Sequence, residues 1–409
     1  AAVHEFNFPR TKTVCADAGL LSPEDLRAAV AEGWRMHGHA EPFAGPVDLI
    51  AGGPPCQGFS TIGKRLIDDE RNRLVFHFFR LVTELQPRYF LMENVPGMMQ
   101  GGHASILARL VESFQEVGYR LVQPQHVLQA AEYGVPQGRK RLFVLGAREG
   151  ETLPEYPAAL FRPRKLRTRA SAGLPFGPSV WDALGDLPDL DEFAELAESD
   201  AVRLPAAAFR KMRSRASAYA QTLNGTAPDP ADLSHPRLWD ERELTSSMQT
   251  AHTPLSLERF GATVPGTTEP VSRFYRLAPD GLCNTLRAGT GSERGAYTSP
   301  RPIHPVLNRV ISVREAARLH SFPDWFRLHQ TKWHGFRQVG NAVPPLLGRA
   351  VGAQIVAALQ VAPPKPAEPL PLGSPSLLTL NMSEAARHFG AEPEQMPMKR
   401  GRTRQGAGV

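Results

Sequence analysis

The sequence predicts an α/β protein in two unequal parts: a parallel-dominated sheet with helices on both faces, and a smaller loop-rich lobe. In the first 150 residues, short apolar runs typical of buried strands alternate with stretches of helical periodicity. Such alternation is typical of strands that are joined by crossover helices and therefore run parallel. Between about residues 150 and 280 the periodicity is weak, and Pro, Ala and Arg are frequent. That composition indicates a separate lobe with much irregular structure.

The individual elements follow in chain order. Short β-rich apolar runs predict strands at 13–15, 47–51, 89–92 and 142–145. Apolar residues at helical spacing predict helices over 74–85, 106–114 and 344–359. Two further helices are predicted to begin after Ser22 and Ser312, because serine is a favoured cap and acidic residues follow in the first turn.

These signals divide the chain into four stretches. Residues 1–150 hold most of the predicted sheet, residues 151–302 form the loop-rich lobe, and residues 303–359 return to the first part. The last stretch, 360–409, begins Pro-rich and ends basic. Because such a composition offers little apolar surface to bury, we expect a disordered linker and tail there.

The composition indicates a soluble protein whose partner is a polyanion. Hydrophobic residues make up 42% of the 409 residues, and the three cysteines, Cys15, Cys56 and Cys283, lack metal-ligand spacing. We therefore expect a cytoplasmic location, no membrane span, no disulfide framework and no metal site. A net charge of +6 and a pI of about 9.4 favour nucleic acid as the partner. Basic runs at 162–169 and 210–215 are candidates for phosphate contacts, although either alone could be a solvated face.

Reactive or charged side chains lie at the ends of three predicted strands. Cys56 lies on a Gly- and Pro-rich turn directly after one strand, Glu93 directly follows the next, and Arg139 and Arg141 precede a third. Each has a structural alternative: a small buried thiol, a helix-capping acid, or a solvated basic cluster. Together they predict a pocket suited to nucleophilic attack on an electron-poor heterocycle. A thiolate would add to a ring carbon, a carboxyl group would neutralise a ring nitrogen, and the guanidinium groups would hold a carbonyl oxygen and stabilise the thiolate.

The same segments resemble the DNA cytosine-5 methyltransferase family. The loop at 54–57 resembles its Pro-Cys-Gln nucleophile motif, and Glu93-Asn94-Val95 resembles its Glu-Asn-Val motif. Further matches are the Gln-x-Arg-x-Arg motif at 137–141, the last motif at 338–344, and the segments that precede it at 285–287 and 314–318. Matches in this order over roughly residues 1–358 are highly specific.

The resemblance implies a Rossmann-like, S-adenosylmethionine-dependent methyltransferase fold and a role for each site residue. The target cytosine would leave the duplex, and Cys56 would attack its C6 atom. Glu93 would bind N3 and the exocyclic amine, while Arg141, with Arg139, would hold the O2 side and the thiolate. C5 would then take the methyl group, and loss of the C5 proton would release the thiol. The implied cofactor contacts are Asp17, Pro55, Leu74, Asn341 and Ala342.

The resemblance also implies the partners. Double-stranded DNA would be read in its major groove by the lobe at 151–302, and a loop from Gln57 to Arg73 would close over it. The family's usual setting is a bacterial restriction-modification or defence system, so a cognate restriction endonuclease is a further expected partner.

One part of the family pattern has no match in this sequence. It comprises an N-terminal strand with a Gly-rich cofactor loop, and an acid after the next strand that binds the ribose. The chain begins with a segment that resembles the helix after that second strand. We therefore expect an N-terminally truncated chain that needs the missing segment, or a partner that supplies it, and that binds S-adenosylmethionine poorly by itself.

Three alternatives use the same residues. A catalytically impaired DNA-binding fragment or subunit would keep the basic lobe, but the intact Cys56, Glu93 and Arg141 favour an enzyme. The tRNA cytosine-5 methyltransferases resemble the DNA enzymes but typically carry a Cys-Phe-Thr element, whereas Cys283 is followed by Asn-Thr. A cysteine hydrolase would need a paired histidine signature, which the motifs above do not include.

Overall fold

The computed structural model describes residues 1–55, 73–164, 173–290 and 301–391. Its helices are α1 (Ala2–Asn7), α2 (Pro23–Met36), α3 (Arg73–Leu85), α4 (Gly102–Glu116), α5 (Val180–Leu184), α6 (Ala206–Arg215), α7 (Ala218–Leu223), α8 (Pro254–Ala262), α9 (Val313–Leu319), α10 (Lys332–Asn341), α11 (Pro345–Ala358) and α12 (Met382–Phe389). Its strands are β1 (Leu49–Gly52), β2 (Tyr89–Asn94), β3 (Tyr119–Leu121), β4 (His126–Gln129), β5 (Gln137–Gly138), β6 (Lys140–Arg148), β7 (Val202–Arg203), β8 (Arg237–Leu238), β9 (Glu243–Leu244), β10 (Cys283–Asn284) and β11 (Leu370–Pro371).

The main sheet is mixed. Its strand order is β1-β2-β6-β3, and β4 also pairs with β6. Strands β1 and β2 run parallel, whereas β2, β3 and β4 all run antiparallel to β6. The predicted α/β class is confirmed, but antiparallel pairs outnumber parallel ones in the described part of the sheet. β3 and β4 follow one another along the same edge of β6, and the connection from β4 to β6 is too short to hold a crossover helix, so the chain reverses there.

Helices cover both faces of this sheet. On one face, α3 and α4 bury Val82 and Phe114 against Phe90 of β2, and the Phe90 and Phe114 rings stack with centroids 4.0 Å apart. On the other face, α11 buries Val351 against Tyr89 and Phe143. Full burial of an aliphatic or phenylalanine side chain contributes roughly 1.5–3 kcal/mol, so these two layers hold the sheet and fix the edge where β1 and β2 end.

A second core joins the lobe to the C-terminal motifs. Helix α9 begins with the predicted cap: the Ser312 hydroxyl accepts from the Glu315 amide, and the Glu315 side chain accepts from the Ser312 amide. Further along the helix, the fully buried Arg318 forms ion pairs of 2.8 Å with Asp186 and 2.6 Å with Asp324. A buried arginine needs such partners, and here they tie α9 to the segment that follows α5.

Part of the predicted tail is ordered, which differs from the disorder expected over 360–409. Strand β11 pairs in parallel with β8 of the lobe, and Leu377 and Leu378 pack against Phe6 of α1. The composition of this stretch did not predict these contacts, because the apolar residues that pack together lie at opposite ends of the chain. Residues 392–409 lie outside the described residues.

The strand predicted at 13–15 is irregular in the structure. Among the described strands none pairs with it, and an extended segment without a neighbour leaves its backbone groups to other partners. The loop that follows is held by Arg80 of α3, which donates to the carbonyls of Ala18 and Leu21. No helix among the described residues is both long and apolar enough to cross a membrane.

Candidate active site

The carboxyl ends of β1 and β2 place Glu93 beside the turn that leads to Cys56. Because the two strands are parallel, with Gly52 opposite Met92, Gly53 lies next to Glu93. A Cβ atom at Gly53 would lie only 3.1 Å from Oε2 of Glu93, so glycine leaves room for the carboxylate. Cys56 itself lies outside the described residues, as does the rest of the predicted closing loop up to residue 72. The root of that loop is described, and it adjoins Glu93.

Asn94 fastens the root of the loop to β2. Its side-chain amide donates a 3.1 Å hydrogen bond to the Pro54 carbonyl, and its Oδ1 accepts a 2.9 Å hydrogen bond from the Val95 amide. The side chain is buried, so water competes little with these bonds. The turn before Cys56 therefore has a fixed position relative to the strand that carries Glu93.

Arg141 forms an ion pair with Glu93. Its Nε lies 2.6 Å from Oε1 of Glu93, and the two side chains are 13% and 18% exposed. The sheet register explains the contact: Glu93 lies opposite Phe143 on β6, which makes Arg141, two residues away on the same strand face, its diagonal neighbour. The predicted association of these two side chains is present in the structure.

Burial and the neighbouring cations act in opposite directions on the carboxyl group. Burial is the largest effect and raises the pKa of Glu93, while Arg141 and Arg139 oppose that rise. Burial likewise lowers the pKa of Arg141, but a guanidinium has so high an intrinsic pKa that it stays charged. Burial thus favours the protonated form of the Glu93 carboxyl group, whereas the two guanidinium groups favour its ionised form.

Arg139 occupies a different position from the one expected for a substrate contact. Its Nη atoms donate to the carbonyls of Leu286 (2.9 Å), Gly340 (2.8 Å) and Ala342 (2.9 Å), and the side chain is fully buried. Burial lowers the pKa of Arg139 to about 9, which still leaves it cationic at neutral pH. The Arg139 side chain thus links its own segment to two distant ones, that of Leu286 and that of Gly340 and Ala342. Its positive charge also acts on the Glu93 carboxyl group.

His320 completes this junction, and the sequence analysis did not identify it. Its Nδ1 faces the amide nitrogen of Gln137 at 3.0 Å, and its Nε2 faces the Ala342 carbonyl at 3.0 Å. A donor on one side and an acceptor on the other require a neutral imidazole with its proton on Nε2. Burial places the pKa of His320 well below its usual value, which agrees with that tautomer. Its one sequence signal is its position just after the motif at 314–318.

Gly340 brings the last motif into direct backbone contact with the lobe. A Cβ atom at this position would lie 2.4–2.6 Å from backbone atoms of Arg287 and Ala288. Backbone cannot move aside as a flexible side chain can, so this crossing requires glycine. The residue pair that follows, Asn341 and Ala342, is consequently held at a fixed place: Asn341 is exposed, and the Ala342 carbonyl is bound by Arg139 and His320.

The other predicted cofactor residues lie around the first turn of α3. Leu74 lies one helical turn before Phe78, and the Phe78 ring lies against Gly52 of β1. The Asp17 carboxylate accepts from the Gly19 amide at 2.7 Å, and Gly19 lies against His77 of α3. Asp17, Pro55 and Leu74 are exposed.

The described residues contribute no cluster of three or more His, Cys, Asp or Glu side chains that could hold a metal ion.

The mixed α/β sheet carries a largely buried carboxyl–guanidinium pair beside the turn that follows β1, at the carboxyl ends of two parallel strands, which is where enzymes of the α/β class bind their ligands. A family model of the C-5 cytosine-specific DNA methylases matches residues 37–357. The chain belongs to the C-5 cytosine-specific DNA methylase family, as the sequence predicted.

Individual relatives support the same family assignment. The chain is 50% identical over 389 residues to the Type II methyltransferase M.XorII of Xanthomonas oryzae pv. oryzae, covering 95% of this chain and 84% of that protein. It is 31% identical to the Type II methyltransferase M.AgeI of Thalassovita gelatinovora, over 77% of this chain and 84% of that protein. An E. coli crystal structure, of a protein assigned as a DNA modification methyltransferase encoded within a prophage, has a TM-score of 0.64 and 31% identity, covering 88% of this chain and 89% of that chain. These relatives support the DNA enzyme over the tRNA enzyme and the hydrolase.

Proposed function

We propose that this chain transfers a methyl group to C5 of a flipped cytosine in double-stranded DNA through a transient bond between Cys56 and C6. The single observation that carries the proposal is the Glu93 carboxyl group: it is paired with Arg141, shielded from water, and lies against Gly53 at the root of the loop that bears Cys56. A buried carboxyl group in that place suits the N3 edge of a cytosine whose C6 faces the thiol.

Each chain residue has a defined task in this reaction. Cys56 forms the bond to C6, and the electron pair of the C5–C6 double bond moves into the ring, where the protonated Glu93 carboxyl group stabilises it at N3. Arg141 orients that carboxyl group and is available to the O2 side of the base. After C5 has gained the methyl group, loss of its proton restores the double bond and expels the thiolate. Arg139 acts as a positioning residue.

S-adenosylmethionine is the expected methyl donor, as in the methyltransferase family to which the chain belongs. It supplies an electrophilic methyl group. We propose that Asp17 holds the adenine edge, that Pro55 and Leu74 line its faces, and that Asn341 and Ala342 border the same site. The accessible carboxylate and the two accessible apolar side chains support this assignment.

The biological setting is part of the proposal. Type II methyltransferases among the relatives support a restriction-modification system, and a cognate restriction endonuclease would cut the same DNA sequence when it is unmethylated. A DNA substrate and a free thiol nucleophile both favour the reducing cytoplasm as the place of action.

Trapping with a 5-fluorocytosine duplex and S-adenosylmethionine tests the function. Fluorine at C5 cannot leave as a proton does, so the enzyme stays bonded to the base and gains the mass of the DNA strand. With S-adenosylmethionine at saturating concentration, we expect an adduct with the wild-type chain and with Cys15→Ser, which removes a partly accessible thiol, but none with Cys56→Ser. An adduct that persists in Cys56→Ser would refute the mechanism. DNA binding without any wild-type adduct would instead favour the impaired DNA-binding protein.

A further inference from the structure

An exposed aromatic ring lies next to two arginines at the start of the lobe. Phe176 is 55% exposed, and the guanidinium carbons of Arg162 and Arg164 lie 5.0 Å and 5.6 Å from its ring centroid. A phenylalanine that is more than half exposed gives up apolar burial that a core position would supply. The cation–π contacts contribute roughly 0.5–1 kcal/mol each at exposed sites, which offsets only part of the burial energy that the Phe176 ring gives up.

Backbone hydrogen bonds hold this group in place. The Arg162 amide donates to the Pro175 carbonyl at 2.7 Å, and the Gly177 amide donates to the Arg162 carbonyl at 3.0 Å. Nε of Arg164 also donates to the Gly177 carbonyl, at 2.8 Å. The ring and the two cations are therefore presented together as a preformed unit, which we call the Phe176 clamp (Arg162, Arg164 and Phe176).

The Phe176 clamp borders a cleft that reaches the catalytic motifs. This open cleft has a volume of about 950 Å³, and Arg164 lines it together with Gly138, Thr285 and Arg287. Gly138 directly precedes Arg139, and the Thr285 hydroxyl donates to the Gly138 carbonyl at 2.6 Å. A polymer that occupied this cleft would thus contact the clamp at one place and the motif around Arg139 at another.

Charge indicates what kind of polymer fits. The clamp arginines begin the basic run 162–169, and Arg287 adds a cation within the cleft, against the single acid Asp280 among its lining residues. Guanidinium groups that flank an aromatic ring match the repeat of nucleic acid, in which phosphates alternate with sugars and bases. A peptide of acidic residues would use the cations but would leave the ring without a partner.

Resting on the proposed function, we propose that the Phe176 clamp is a DNA contact: Arg162 and Arg164 bind phosphates of one strand, and the exposed part of the Phe176 ring packs on a deoxyribose between them. The clamp thereby holds the duplex in the cleft next to the site that takes the target cytosine. The contact needs no particular DNA sequence, because the phosphates and sugars of the backbone are the same at every position.

Salt-dependent binding of the full chain to a pool of labelled duplexes of random sequence separates the two parts of the clamp. For Phe176→Ala we expect roughly 3- to 15-fold weaker binding with an unchanged slope of log affinity against log salt, because about half of a phenylalanine side chain is buried on the DNA. For Arg162→Ala with Arg164→Ala we expect a slope reduced by about 1–2. Phe176→Tyr keeps an aromatic ring and should restore binding. This variant therefore distinguishes the loss of the ring's contact with DNA from a folding defect.

Matched controls are available at exposed residues that do not line the cleft. Val271→Ala removes an exposed apolar side chain from the lobe, and Arg27→Ala removes an exposed cation from α2; both should bind as the wild type does. Wild-type affinity in Phe176→Ala would overturn the proposal, as would a loss that Phe176→Tyr fails to restore. Failure of the proposed function looks different, because the wild type would then bind the duplexes with the same clamp dependence but form no 5-fluorocytosine adduct.

Discussion

The side-chain amide of Asn94 and the carbonyl of Pro54 form a 3.1 Å hydrogen bond, two residues before the proposed nucleophile. The other end of the same side chain accepts from the Val95 amide. Because Asn94 directly follows Glu93, a single buried side chain couples the position of the thiol-bearing loop to the position of the carboxyl group. The reaction needs both groups on one base, so this coupling is a source of catalytic geometry.

Replacing Asn94 by aspartate should slow formation of the Cys56 adduct. The carboxylate still accepts from the Val95 amide, but it cannot donate to the Pro54 carbonyl, so the loop loses its attachment. Misplacement by about 1 Å can cost roughly 100-fold in rate, and we expect a decrease of about 10- to 100-fold in kcat with little change in the KM for DNA. The rate of 5-fluorocytosine trapping measures it. Asn381→Asp, at the cap of α12, is the matched control because aspartate caps a helix as well as asparagine does.

The pH dependence of adduct formation should report the ion pair between Arg141 and Glu93. Burial raises the pKa of Glu93, and the Arg141 guanidinium is the largest influence that opposes the rise. If the protonated carboxyl group serves N3, the rate falls as the pH rises through that pKa. Arg141→Met should therefore move the falling limb to higher pH, in addition to lowering the rate. Arg141→Lys keeps a positive charge and should leave the limb nearer its wild-type position; a limb that stays in place in Arg141→Met would contradict the assignment.

Local sequence signals were sufficient to predict the elements that carry the site. The cap at Ser312, the turn after β1 and the position of Glu93 at the end of β2 are each determined by a few adjacent residues. The role of Arg139 was not predictable in this way. Arg139 and Arg141 would share a face in a continuous strand, but Arg139 lies between β5 and β6, where that alternation is interrupted. Its carbonyl partners at Leu286 and Gly340 are 147 and 201 residues away.

The contacts of residues 370–378 in the tail were also not predictable from local sequence signals. Proline-rich composition predicts a linker, yet Gly373 lies so close to the backbone of Phe6 that a Cβ atom would come within 2.9 Å of its Cα. Contacts between the two ends of a chain leave no periodic pattern in either segment. The predicted strand at 13–15 is the converse case: its residues favour a strand, but a strand forms only where a neighbour is available to pair with it.

Substitution of Gly340 by alanine should destabilise the protein and disturb the site. The new methyl group would overlap backbone at residues 287–288, and relief of that overlap would pull the Gly340 carbonyl from Arg139. Overpacking of this kind costs about 1–3 kcal/mol. Gly352→Ala is the matched control, since Gly352 lies within α11 with no atom within 4 Å of the added Cβ. It should be neutral or more stable by up to about 1 kcal/mol. Urea denaturation of both variants gives the comparison, and equal stabilities would contradict the close contact.

His320 should make the protein more sensitive to acid. Burial lowers the pKa of His320 in the folded state well below its value in the unfolded chain, about 6.5. Below pH 6.5 the unfolded chain therefore binds a proton at His320, whereas the folded chain does not. The free energy of unfolding consequently decreases as the pH falls below 6.5, by up to about 1.4 kcal/mol per pH unit. In His320→Gln this proton is absent, so the stability difference between wild type and variant should be constant above pH 7.5 and should shift in favour of the variant from pH 6.5 to pH 5. Because other buried histidines are common to both proteins, the change in that difference isolates His320. A difference that stays constant down to pH 5 would mean that the imidazole accepts a proton in the folded state, and the hydrogen bond from Gln137 to Nδ1 would then have to be replaced.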